Sequence, residues 1–145
     1  MKRIVVPTDF SKEAERAFAP TAAMAKALGL GIVLLHVVRE PVMLSGAAPG
    51  AAMPIPQPDI RGQREAAERQ LREMRHHFEG LDVATEVRVS AVPAQTIADY
   101  AKEIGAASIA IATHGRSGIR RLVLGSVAEN VLRRARCPVI CYPAG

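Results

Sequence analysis

Short apolar runs alternate with helix-spaced apolar stripes along nearly the whole chain, and that alternation restricts the fold more than any other feature. Ile4-Val5-Val6, Ile32 to Val38 (interrupted only by His36) and Ile109-Ala110-Ile111 are continuous stretches, the pattern of strands covered on both faces. Between them, apolar residues three and four apart mark helices. The first has Ser11 as N-cap, Ala14, Phe18, Thr21, Ala25 and Leu28 as its inward stripe, and Gly29 as its end; Pro20 inside it predicts a kink. Asp59 caps a second, with Ile60, Ala67, Leu71, Met74 and Phe78 inward, Glu65/Arg69 and Glu68/Arg72 paired outside, and Gly80 at its end. Val83, Thr85, Val87 and Val89 alternate with Ala84, Glu86 and Arg88, which predicts an edge strand with one solvated face. Pro93 and Gly105 bracket a third helix, with Ile97, Ala101 and Ile104 inward. Ser126 and Glu129 spell an S-x-x-E capping box ahead of Val131 and Leu132, and Val139 to Tyr142 is a last strand. Five strands alternating with four helices predict a doubly wound, Rossmann-like, five-stranded parallel sheet in one α/β domain over residues 1–145.

Composition agrees with one domain: 145 residues at 49% hydrophobic content suffice for a single core. No apolar stretch approaches the roughly 18 to 20 residues of a membrane span, and MKRIVVPTDF runs directly into a strand, so the expected location is the cytoplasm. Cys137 and Cys141, four apart on the expected last strand, would lie roughly 13 Å apart, too far for a disulfide, and are expected to be free thiols. Between Arg39 and Asp59 stand five of the ten prolines, with Gly46 and Gly50. A connection of that length and composition is expected to be a flexible Pro/Ala/Gly-rich loop at about 39–59.

Ligands of such sheets bind outside the carboxyl ends of the strands. Two loops leave that edge, Pro7-Thr8-Asp9 after the first strand and 112–125 after the fourth, and they are expected to face each other at the switch point. Ala112-Thr113-His114-Gly115, with Gly125-Ser126 further on, reads as a phosphate-binding loop closing onto a helix N-terminus, where unpaired N–H groups favour an anion. From Ala112 to Cys137 six arginines face one acid, Glu129, so this segment carries the whole net charge of +5. Each feature has a plainer reading. Gly125-Ser126 also starts an ordinary capped helix, Asp9 also orders a turn before Ser11, and exposed arginines such as Arg116, Arg120 and Arg121 are commonly just solvated. Glu129 would repel a phosphate unless it folds back into the capping box. His114 has no second ligand beside it, so no metal site is expected, and His36 reads as a hydrogen-bonded core residue. With 3% aromatic residues, nucleic acid is not an expected partner. G-x4-G-K-[ST], G-x-G-x-x-G after the first strand and G-x-S-x-G are all missing, and no catalytic residue is assigned.

The run Val5-Val6-Pro7-Thr8-Asp9-Phe10-Ser11, the stretch Leu34-Leu35-His36-Val37, and the segments Thr113 to Arg116, Gly125 to Glu129 and Cys137-Pro138-Val139 together resemble the universal stress protein family over essentially the whole chain. The family's loop motif, G-x2-G-x9-G-[ST], would occupy Ala112, Gly115, Gly125 and Ser126, with alanine replacing the first glycine. If Ala112 has ordinary strand geometry only close ligand approach is affected; if it needs positive φ, the cost is of order 1 kcal/mol. The resemblance implies an ATP-binding, commonly homodimeric regulator of stress responses, with weak turnover at most. It implies that Pro7, Thr8, Asp9 and Val37 line the adenosine end. Ile111, Ala112, His114, Gly115, Gly125, Ser126, Val127 and Ala128 would surround ribose and phosphates, with Arg116 beside them, and ATP would bind with or without Mg2+. The last strand, apolar on both faces yet terminal, is either covered by the chain's own helices or paired with a second copy through Val139–Tyr142. Three functions stay open: a nucleotide-responsive homodimeric regulator, a slow ATP hydrolase on the same site, and a nucleotide-free interaction module.

Overall fold

The strands assemble as the alternation predicts. The structure, a computed structural model, describes residues 1–41, 58–113 and 124–143; the middle of the Pro-rich loop and residues 114–123 lie outside them. In chain order come β1 (Arg3–Pro7), α1 (Lys12–Glu15), α2 (Phe18–Leu28), β2 (Gly31–Arg39), α3 (Ile60–Met74), a single 3-10 turn (Arg75–Phe78), β3 (Val83–Ser90), α4 (Pro93–Glu103), β4 (Ser108–Ala112), α5 (Ser126–Arg134) and β5 (Val139–Tyr142). All strand pairs are parallel, in the order β3-β2-β1-β4-β5. The half-polar strand β3 is indeed an edge, and β5 is the other.

Strand alternation sorts the core into two layers. Ile4, Val6, Ile32, Leu34 and Val38 pack on Phe18 and Ala25 of α2, Ala67 and Leu71 of α3, and Phe78. Val5, Val33, Leu35, Ile109 and Ile111 point the other way, onto Ile97 and Ala101 of α4 and Ala128 and Val131 of α5. The central strands are buried on both sides, which is why they read as unbroken apolar runs.

Local details depart from the sequence pattern where geometry outweighs it. The first helix does not kink at Pro20; it breaks at Arg16–Ala17 and restarts, so that Pro20 falls in the first turn of α2. There a missing N–H costs nothing, because first-turn donors have no intrahelical partner. Leu28 is 63% exposed and Ile104 38% exposed. Leu28 is the last residue of α2 and Ile104 the C-cap of α4, so both stripes run out into solvent at a helix end. Glu65 and Glu68 pair with Arg61 (3.2 Å) and Arg64 (3.5 Å), four residues before each glutamate, and not with the expected Arg69 and Arg72 four residues after. The solvated face of β3 is occupied: Arg88 binds Glu86 (2.7 Å) and Glu103 (3.1 Å) and lies 4.8 Å from the Tyr100 ring centre. Cys137 precedes β5 and is not part of it, but both cysteines are free, and burial raises both thiols above their ordinary range.

Two caps match the expectation, Ser11 accepting from the Ala14 N–H at 3.2 Å and Asp59 from that of Gly62 at 2.9 Å. Gly29 ends α2 in the left-handed region at φ 64°, with no atom within 4 Å of where a Cβ would stand. Gly29→Ala therefore meets only the backbone penalty, and chemical denaturation should show a loss of about 1 kcal/mol with an unchanged slope.

Candidate functional site

At the carboxyl edge β1 and β4 are neighbours, the helices that come after them, α2 and α5, pack on opposite faces, and the opening between the two strands is the switch point of the sheet. A cleft of about 310 Å³ lies there, within the range of small-molecule sites. Pro7, Thr8 and Asp9 form one wall, Val37 the end of β2, Ile111 and Ala112 the end of β4, and Ser126, Val127 and Ala128 the first turn of α5. These sequence-predicted residues, far apart in the chain, thus share one cavity. Gly125, not itself among the lining residues, directly precedes Ser126 as the N-cap of α5. His114, Gly115 and Arg116 lie outside the described residues.

The α5 start differs from the expected capping box. Gly125, extended at φ −59° and ψ 152°, is the N-cap, so Ser126 is the first helical residue and no side chain caps the helix. Glu129 thereby falls one position past the reach of such a box; its carboxylate takes Arg133 at 3.0 Å, down the helix. The first intrahelical donor is the Glu129 N–H, bonded to the Gly125 carbonyl at 3.0 Å. The N–H groups of the Ser126-to-Ala128 turn precede it, at the positive end of the dipole and on the cleft. The glutamate that would have repelled an anion is turned away.

Ala112 lies within β4, opposite Tyr142, and among the described non-glycine residues only Phe10 has positive φ. Alanine therefore sits in the first motif-glycine position without backbone strain, and its methyl group bears on ligand approach alone.

The opposite wall is tightly tied. The Asp9 carboxylate accepts from both the Ser11 N–H (3.0 Å) and the Ser11 hydroxyl, and that hydroxyl in turn caps α1. Asp9 hence orders its turn and lines the cleft at once. Thr8 donates its N–H to the Leu35 carbonyl at 2.9 Å, extending the ladder one residue past β1. Phe10 follows at φ 67°, a left-handed conformation that costs a bulky residue about 1–2 kcal/mol.

Several lining residues escaped the sequence reading: Ala14, Leu35, His36, Arg39, Pro93 and Ile97. The signal for Pro93 and Ile97 was the fold itself, since every helix of a parallel α/β unit starts at the carboxyl edge and α4 starts beside α5 there. His36 is hydrogen-bonded as expected, through Nδ1 to the Thr8 carbonyl at 2.8 Å, but it is half-buried at the cleft and not enclosed in the core. No group of three or more potential metal-ligating side chains occurs among the described residues.

A sequence profile described as the universal stress protein family matches residues 1–143. The universal stress protein MJ0531 of Methanocaldococcus jannaschii is 30% identical over 139 residues, covering 96% of this chain and 80% of its own. Among solved structures, MJ0577 superposes with a TM-score of 0.73 at 25% identity, over 99% of this chain and 96% of its own. A universal stress protein from Archaeoglobus fulgidus, solved in complex with dAMP, superposes with a TM-score of 0.64 at 27% identity, covering 97% of each chain.

Proposed function

Since the chain belongs to the universal stress protein family, we propose that it is a cytoplasmic, homodimeric ATP-binding regulator of the stress response, with nucleotide occupancy as its switch. The observation that carries this reading is the uncapped start of α5, whose free N–H groups open onto a cleft of nucleoside size at the sheet's switch point. The dAMP bound by the Archaeoglobus relative supports an adenine nucleotide. In this arrangement Pro7, Thr8, Asp9 and Val37 hold the adenosine end. Ile111, Ala112, Gly125, Ser126, Val127 and Ala128 take ribose and phosphates, joined by His114, Gly115 and Arg116 from the loop motif. A magnesium ion, if it accompanies ATP, would be held mainly by phosphate oxygens.

The test is a thermal melt with and without Mg-ATP. At about 100 times the dissociation constant the ligand adds roughly 2.7 kcal/mol, an upward shift of about 5–10 °C. No shift at millimolar ATP overturns the reading in favour of a nucleotide-free module. Phosphate release lost in Asp9→Ala would instead identify a slow hydrolase.

The dimer reading rests on β5, an edge strand whose four residues, all apolar or aromatic, are only half-buried. An uncovered apolar edge is an aggregation hazard that two-fold pairing through Val139–Tyr142 removes. Sedimentation should give a dimer for the native chain and a monomer for Ile140→Lys; a monomeric native chain would refute it.

A further inference from the structure

We propose that His36 is a positioning residue for this cleft, clamping the turn after β1 so that Asp9 meets the ligand; the ligand part of this inference rests on the nucleotide reading above. Strand alternation puts His36 on the opposite face of β2 from Leu35 and Val37, which point into the cleft layer. The ring, which also borders the cleft, acts on the turn in two ways. Because a carbonyl can only accept, Nδ1 carries the proton and donates to the Thr8 carbonyl at 2.8 Å. The ring also packs against Phe10, with centroids 4.3 Å apart and planes 31° from parallel.

Phe10 needs that support. An aromatic residue in the left-handed region persists only where its surroundings over-determine it. Here its side chain joins the α2/α3 core layer, its ring meets His36, and its N–H donates to Thr8 Oγ1 at 3.0 Å. Thr8, itself 6% exposed, is thus held at all three of its polar groups: N–H by Leu35, carbonyl by His36, hydroxyl by Phe10. The residue between the two pinned positions is Asp9, which lines the cleft. Histidine meets both requirements because it combines a flat ring with an N–H donor. Phenylalanine would stack but leave the carbonyl without its bond, and glutamine would reach the carbonyl without stacking.

The experiment compares native protein with His36→Phe, His36→Gln and Phe10→Asn, the last keeping a residue that tolerates positive φ while removing the stack. In the ligand-free proteins, amide hydrogen exchange should rise about tenfold or more at Phe10 and Ser11 in the His36 variants and at Ser11 in Phe10→Asn. In parallel, calorimetry with two probes should show adenosine binding weakened about tenfold and inorganic triphosphate binding unchanged, since the phosphate end belongs to α5. A merely structural histidine would weaken both probes alike or neither. The inference is overturned if Phe10 and Ser11 exchange at native rates in the His36 variants, or if the triphosphate is affected as much as adenosine. If native protein binds neither probe, the nucleotide reading fails while the exchange rates still decide the clamp. If a His36 variant does not fold, Phe10→Asn decides it alone: native exchange at Ser11 there refutes the clamp.

Discussion

Replacing Ser126 by aspartate is expected to stabilise the protein and nearly abolish ATP binding, two effects of opposite sign from one charge. Ser126 is exposed at the first helical position of α5, where no side-chain cap is lost by changing it. A carboxylate there meets the positive end of the helix dipole and should add about 0.3–1 kcal/mol to stability. The same carboxylate occupies the wall of the cleft where the phosphates are proposed to lie. At about 5 Å and an effective dielectric near 20, one unit of like charge costs about 3 kcal/mol, a loss of about a hundredfold in affinity. Ser126→Asn, similar in size and neutral, should bind nearly as the native protein does. Denaturation paired with calorimetry checks both signs. Undiminished ATP affinity in Ser126→Asp would remove α5 from the site.

The largest expected loss of stability comes from Phe18→Ala. The chain has only three phenylalanines, and two of them, Phe18 and Phe78, meet in the α2/α3 core layer with ring centroids 5.2 Å apart. Phe18 is 1% exposed and also presents an edge to His77 at 5.3 Å. Truncating it removes the transfer energy of a buried ring and leaves a cavity that a sheet-backed layer cannot close, at a cost of about 3–5 kcal/mol. Against a total of about 5–15 kcal/mol for a domain, the urea midpoint should fall by about a fifth or more. Because Phe18 lies across the sheet from the cleft, the folded fraction should bind ATP with native affinity. A loss under 1 kcal/mol would mean that the layer repacks around the gap.

The two kinds of core strand were legible because burial leaves its own pattern: Val5 and Ile109 sit in unbroken apolar runs, whereas Glu86 and Arg88 interrupt the edge strand β3. Ser11, Asp59, Gly29 and Gly105 were legible as helix ends because capping and left-handed turns demand particular side chains or none. What misled was spacing read without its frame. Ser126 and Glu129 have the separation of a capping box, yet the helix begins one residue earlier than the serine suggests, with Gly125 as its cap. Leu28 and Ile104 continue their stripes but fall at helix ends open to solvent, a boundary no periodicity records.

For the cleft, the sequence by itself determined the composition of its parts: a short strand ending in Pro7-Thr8-Asp9, another ending at Ala112, and a helix opening at Gly125-Ser126, because each is a local pattern of burial, turn and cap. The tertiary structure decided which parts meet. Only the strand order, with β1 beside β4, brings Asp9 to face the start of α5, and only the register of β2 places His36 beside Thr8 and against Phe10. Those contacts join residues tens of positions apart, and their geometry is set by sheet pairing and packing across two layers, which no local stretch of the chain encodes.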